Sequence, residues 1–274
     1  MAEMPCTVLL PTHAHGSLIA FALRSLQRQT LTDFEVLVVG DGITDEGRAM
    51  VRAFAAADPR IRLFDLPKGP RHGERHRHTV LTEHARGRCV VYLCDDDLLL
   101  PRALEVLCEA LRERDFVHPL PVYVDATGAL GVASGHLRYD AVVQRLLDGT
   151  DHNFIALSGA AHTLAFYRAL PHGWRTTPPG VPTDLYMWQQ VLAVPGCRRH
   201  MVPRPLVLHF PSPDRKAWPD ARRQAELAHW DTIAAGADAE LQIAALALDH
   251  LAEAQWARDE RLRHLAAAPP PAAR

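Results

Sequence analysis

Four consecutive residues, Cys94-Asp95-Asp96-Asp97, bring three carboxylates together directly after the apolar run Cys89-Val90-Val91-Tyr92-Leu93. Adjacent carboxylates at the end of a buried strand repel one another and need solvent, helix N–H groups or a cation to offset the charge. A hard divalent ion such as magnesium or manganese accepts carboxylate oxygens and keeps positions open for phosphate and water. The plainer reading is a helix start, because Asp is a good N-cap and its charge suits a helix N-terminus. On this stretch alone the two readings stand even. Other polar residues that follow apolar runs decide between them: His13 in the loop 11–16, Asp41 after 34–39, and the basic stretch 68–78 with Lys68, Arg71, Arg75 and Arg77. Cations beside a carboxylate-bound metal suit a diphosphate, whose charge both would share. A run of charge also serves as an ordinary solvated face; phosphate contact is expected for one or two of these residues and solvent for the rest.

The elements that must position these groups follow from periodicity. Apolar runs at 7–10, 34–39, 61–64 and 89–93 predict strands. Segments 17–26, 45–57, 79–85 and 102–114 predict helices, with Ser17 as an N-cap and Pro11 closing the first strand. Near-continuous apolar strands alternating with helices predict a parallel sheet covered on both faces, with right-handed crossovers. Ligands of such sheets bind beyond the strand C-termini. His13, Asp41 and the 95–97 carboxylates all follow strand ends, so one sheet edge should gather them.

Beyond residue 114 the alternation stops. The sequence predicts short β-like runs within 116–130, a helix over 139–147, a strand over 153–157, helices over 163–169 and 185–192, and an edge strand at best over 201–209, which Pro203 and Pro205 break. Two helices with a break near Gly236 are expected over 219–268, the second with an apolar stripe of Leu241, Ala245, Leu248 and Ala252, followed by a Pro/Ala tail expected to be disordered. The expected organisation is an α/β half over 1–114, a second half of the same domain over 115–215, C-terminal helices over 216–266 and the tail over 267–274. The stripe fits self-packing or a subunit contact, and hence a homo-oligomer.

Composition bounds the rest. The chain has 274 residues, 48% of them apolar, and a formal charge of -2, so no global basic field suggests nucleic acid or a membrane surface. Its five cysteines form no C-x-x-C pair and read as small core residues. No secretory leader and no membrane-spanning run is evident, and a reducing cytoplasm is the expected setting.

Several stretches, taken in order, resemble the GT-A glycosyltransferases of family 2, the large inverting family. They are Val8-Leu9-Leu10-Pro11-Thr12, Ser25-Leu26-Gln27-Arg28-Gln29-Thr30, 33–42, Asp58-Pro59-Arg60-Ile61-Arg62, and Tyr92-Leu93-Cys94-Asp95-Asp96-Asp97 through Pro101. The resemblance implies a GT-A, Rossmann-like sheet and a nucleotide-sugar donor, with UDP the expected carrier and thymidine or guanosine diphosphate the alternatives. It implies donor contacts from Pro11, Thr12 and His13, where an aromatic residue often stacks on the base, and from Asp41, which matches the second of the family's paired acids while Gly40 replaces the first. It aligns Asp95-Asp96-Asp97 with the D-x-D metal motif: Cys94 stands for the first Asp, Asp96 is the direct ligand of Mn or Mg, and Asp95 faces the ribose or diphosphate, with Arg71, Arg75 and Arg77 near the phosphates. Thr183-Asp184-Leu185-Tyr186-Met187-Trp188 resembles the catalytic segment, with Asp184 as base. Trp174 corresponds to a residue near the acceptor, and His209 to a late His reaching the metal or diphosphate.

The chemistry implied is single displacement with inversion. The acceptor is open among glycan, lipid carrier, protein and small natural product, with a soluble one favoured. Two rival readings stand beside it: a nucleotidyltransferase on a similar sheet, whose Gly-rich basic loop is missing from 11–16, and a non-catalytic nucleotide-sugar-binding or partner protein, to which Gly40, Cys94 and Thr183 point.

Overall fold

The computed structural model describes residues 4–149 and 153–267. The expected tail lies outside the described residues from 268 onward. In chain order the elements are β1 (Cys6–Thr12), a 3-10 turn (Gly16–Leu18), α1 (Ile19–Gln27), β2 (Phe34–Asp41), α2 (Asp45–Ala57), β3 (Ile61–Leu66), α3 (Glu74–His84), β4 (Cys89–Tyr92), β5 (Leu98–Leu99) and α4 (Ala103–Ala110). There follow β6 (Phe116–Pro119), β7 (Val122–Val124), β8 (Leu130–Val132), α5 (Asp140–Leu147), β9 (Ala161–Thr163), α6 (Leu164–Ala169), α7 (Thr183–Leu192), β10 (Arg199–Val202), β11 (Val207–Leu208), α8 (Ser212–Arg215), α9 (Asp220–Ala234) and α10 (Ala239–Ala267).

One seven-stranded sheet in the order β10-β6-β9-β4-β1-β2-β3 runs through both halves of the chain. All its pairings are parallel except those of β9, which lies antiparallel between β4 and β6. The strand period of two assigns alternate residues to opposite faces. Val8, Leu10, Val36, Val38 and Val91 pack with α1, α2 and α4, whereas Leu9, Leu37, Val39, Val90 and Tyr92 pack with α3, α5 and α7. A third cluster joins Leu98, Leu100, Val122, Leu208 and Phe210 to Leu227, Trp230 and Ile243, and so fixes α9 and α10 on the body. Glu35, the one acid in the second apolar run, is buried but takes hydrogen bonds from Thr7 and from the Arg86 backbone and side chain. Among the described residues, no helix is long and apolar enough to cross a membrane.

The departures from expectation have local causes. β1 continues through Pro11 to Thr12, because β4 pairs only as far as Leu9 and asks no N–H of Pro11. Ser17 caps nothing; its hydroxyl accepts from Gln224. The third helix begins at Glu74, five residues earlier than the apolar pattern indicates, after Gly73 in the left-handed conformation (φ 70°). Residues 153–157 are buried but form no strand: Asn153 bonds back to Ile155, and the Ile155 carbonyl is taken by the Trp188 indole. The outward stripe on α10 does not pack on this chain. Leu241 and Leu248 are 70% and 69% exposed, and Ile243 and Ala247 make the buried face instead.

Candidate active site

The parallel order β4-β1-β2 places the C-terminal ends of those strands side by side, and a cleft of about 330 Å3 opens there. Pro11, Thr12 and His13 reach it from the end of β1, and Asp41 from the end of β2. Arg71 and Arg77 line it from the basic segment, with Cys94, Asp95 and Asp96 following β4. Three further residues of the lining, His15, His72 and Ser212, were not singled out from the sequence.

The three adjacent carboxylates each meet a basic side chain. Asp95 accepts from the Thr12 hydroxyl (2.6 Å) and from His15 Nδ1 (2.7 Å). Asp96 Oδ2 accepts from Ser212 (2.9 Å) and from Arg223 of α9 (2.6 Å). Asp97 accepts from Ser158, from His209 Nδ1 (3.0 Å) and from the Phe210 backbone N–H (2.8 Å). Burial and the neighbouring charges of Asp97 and Asp95 push the Asp96 carboxyl up to about 6. Asp97 stays below the usual range: burial opposes its charge, but His209, Ser158 and Phe210 outweigh it. Burial also works against the charged imidazoles of His15 and His209, yet the adjoining carboxylates raise both to about 9. His209 thus donates from Nδ1 to the acid beside Asp96. Burial and the charge of Asp97 push the Cys94 thiol well above its usual value.

The base-side acid is held tightly. Asp41 is 4% exposed and receives Lys68 Nζ (2.7 Å) and the Gly69 N–H (2.5 Å). A Cβ at Gly73 would lie 2.6 Å from Asp41 Cγ, so only glycine lets the loop close over this carboxylate. Arg71, in the same loop, is the one non-glycine among the described residues with a positive φ (56°).

Arg75 and Arg77 part company. Residues two apart on an α-helix point about 200° from each other. Arg75 is exposed and outside the cleft lining, whereas Arg77 is 7% exposed and lines it. Arg77 Nη2 donates to the His72 carbonyl, while its Nε and Nη1 are buried without a hydrogen-bond partner. Trp174 does not reach the cleft. It is 2% exposed, donates from Nε1 to the Tyr92 hydroxyl (2.9 Å), and carries the Arg77 guanidinium on its ring at 4.9 Å. Its place is beneath Arg77, as a support. Asp184, the second residue of α7, is half-buried; burial raises its carboxyl, and Arg77 and His209 oppose the rise.

Among the described residues, two groups of donor atoms could hold a metal ion, each within 4.8 Å: His15 with Asp95 and Asp96, and Cys94 with Asp96 and Asp97. Asp96 belongs to both, and its partners include hard carboxylate oxygens, which fit magnesium or manganese.

Comparison with known proteins agrees with this architecture. Solved structures similar to the chain include S. aureus TarS 1–349 (TM-score 0.58, 16% identity, covering 82% of this chain and 70% of that one). Another is the mannosyltransferase PcManGT from Pyrobaculum calidifontis, in complex with GDP-Man and Mn2+ (TM-score 0.53, 19% identity, covering 86% and 64%). The fold is thus the GT-A fold that the sequence resemblance implied. A curated relative, the GalNAc(5)-diNAcBac-PP-undecaprenol beta-1,3-glucosyltransferase of Campylobacter jejuni, is 31% identical over 107 residues, 39% of this chain and 34% of that protein. Chondroitin synthase of Pasteurella multocida is 27% identical over 133 residues, 47% of this chain and 13% of that protein. The chain thus spans about a third of the first of these relatives and less of the second. The family model for Glycosyl transferase family 2 matches residues 7–168, from β1 into α6 and over the cleft lining apart from Ser212, and the chain belongs to that family.

Proposed function

We propose that this protein transfers a sugar from a nucleoside diphosphate sugar, with UDP as the carrier, to an acceptor by single displacement with inversion. The observation that carries the reading is Arg77: two guanidinium N–H groups, buried and unpartnered, beside the carboxylate cleft. An unsatisfied buried donor is costly, and a diphosphate oxygen is the partner that would satisfy it. TarS has been solved with UDP-GlcNAc and with UDP, and PcManGT with GDP-Man, which supports a nucleoside diphosphate carrier for a chain of the same fold.

Asp184 takes the proton of the acceptor nucleophile as it attacks the anomeric carbon. Its raised carboxyl suits a base that must hold a proton briefly, and Arg77, which lines the cleft, is among the charges that act on it. Arg77, with His209 protonated beside Asp97, faces the charge that develops on the departing diphosphate. Pro11, Thr12, His13 and Asp41 hold the nucleoside. Asp96, with Asp95 or Asp97, would hold a divalent cation, which when bound supplies positive charge at the diphosphate. Trp174 acts on the donor through Arg77, and Arg75 is left to solvent.

Calorimetric titration of UDP, GDP and TDP, with and without Mn2+, tests the donor assignment. One nucleotide should bind, more tightly with the metal. A folded protein that binds none would contradict the reading.

A further inference from the structure

The C-terminal helices lie beyond the residues that the family model matches, yet α9 sends Arg223 into the carboxylate cluster. We propose that Arg223 is a positioning residue of the donor site: it shares Asp96 with the divalent cation as an alternative partner, and swings to the diphosphate when the cation takes that oxygen. The inference rests on the donor reading above. Three observations carry it.

Arg223 is built into the site. Its side chain is 11% exposed and meets Asp96, itself 5% exposed, at 2.6 Å. The helix that presents it is anchored on both sides. Gln224 bonds Ser17 (3.0 Å), Asp231 pairs with Arg24 and Arg28, and Leu227 and Trp230 are buried against Leu18 and Leu98.

The contact falls on the acid that a cation would use. Arg223 and Ser212 both donate to Asp96 Oδ2, and Asp96 is the residue common to the two groups of possible metal ligands. Two positive charges on one buried carboxylate oxygen repel strongly at low dielectric, so the guanidinium and the ion exclude each other there.

The side chain has somewhere to go. Ser212 and Asp96, the partners at that carboxylate oxygen, line the same cleft as Arg77, and an arginine stem can turn while α9 stays fixed. A guanidinium released from Asp96 offers bidentate donors to a phosphate.

The test is the affinity of the full chain for Mn2+ alone, read by electron paramagnetic resonance of the free ion, for wild type, R223Q and R223K. Removing a competitor should tighten Mn2+ binding by R223Q about tenfold, leave R223K near wild type, and weaken UDP binding at saturating Mn2+ several-fold. Weaker or unchanged Mn2+ binding by R223Q would overturn the proposal, as would no Mn2+ binding by wild type and R223Q alike. If R223Q does not fold, nitrogen-15 spectra of the arginine side chains in wild type serve instead: the Arg223 resonance should move on adding Mg2+, and an unmoved one would overturn the idea. UDP titration of wild type separates the two claims. Failure there removes the donor reading, while the Mn2+ comparison stands or falls separately.

Discussion

At the scale of residues, each acid of the site faces basic side chains: His15 lies beside Asp95 and Asp96, Arg223 on Asp96, His209 on Asp97, and Lys68 with His76 around Asp41. Arg77 is the cation left with buried N–H groups to give. Replacing it by Gln should weaken nucleoside diphosphate binding roughly tenfold or more, the ~1.5–3 kcal/mol of a hydrogen bond to a charged group. Calorimetry would show this, and unchanged affinity would remove Arg77 from the donor site. The paired histidines predict a pH dependence. Both titrate near 9 in the fold against 6.5 when unpaired, so the fold favours their charged forms. Their contribution to stability is complete below pH 6.5 and is lost as pH rises through 9, on the order of a few kcal/mol in all. Thermal midpoints should fall across that window, and H15Q should flatten the decline. Asp41, Asp95 and Asp96 were legible because an acid after an apolar run is an acid at a strand end. Arg223 was not, because 127 residues separate it from its partner and nothing in a helical arginine points to one carboxylate.

At the scale of elements, the first four strands and their helices were readable, since each strand buries both faces and each helix shows a stripe. The misreadings cluster where that signal is weak. The first turn of α3 carries Glu74, Arg75, His76 and Arg77, a polar run that resembles a loop until the left-handed Gly73 starts a helix. β9 has three residues, too few for a period of two to show, yet it joins the two halves of the sheet. Trp174 illustrates the consequence for function. A tryptophan in a loop before the α7 segment looks available to an acceptor, but its ring is packed among Tyr92 and Trp188. Trp174→Ala should therefore cost about 3–5 kcal/mol of stability by opening a cavity. Denaturant unfolding would measure it. A stable variant with only a raised acceptor KM would return the residue to the acceptor role.

At the scale of the whole molecule, the C-terminal helices complete the site and also extend away from it. Leu241 and Leu248 face outward on α10, with Trp256 and Leu262 farther along, each more than half exposed. The first half of this helix carries Glu240, Asp249 and Glu253 with no lysine or arginine, and the second half carries Arg258, Arg261 and Arg263 beside Asp259 and Glu260. Antiparallel pairing with a second copy would set the acidic half against the basic one and cover the leucines. Sedimentation velocity should show a dimer that the double variant L241E/L248E turns to monomer. A wild-type monomer at high concentration would contradict this.

The proposed mechanism makes Asp184 the base of a transfer reaction whose donor is held by the carboxylate cleft and Arg77. The most direct measurement pairs sugar release from UDP-sugars with calorimetry of the same donors, for wild type and Asp184→Asn. Turnover should fall on the order of a hundred- to ten-thousand-fold while donor affinity stays within a few-fold. Equal loss of both, or turnover unchanged, would contradict the assignment.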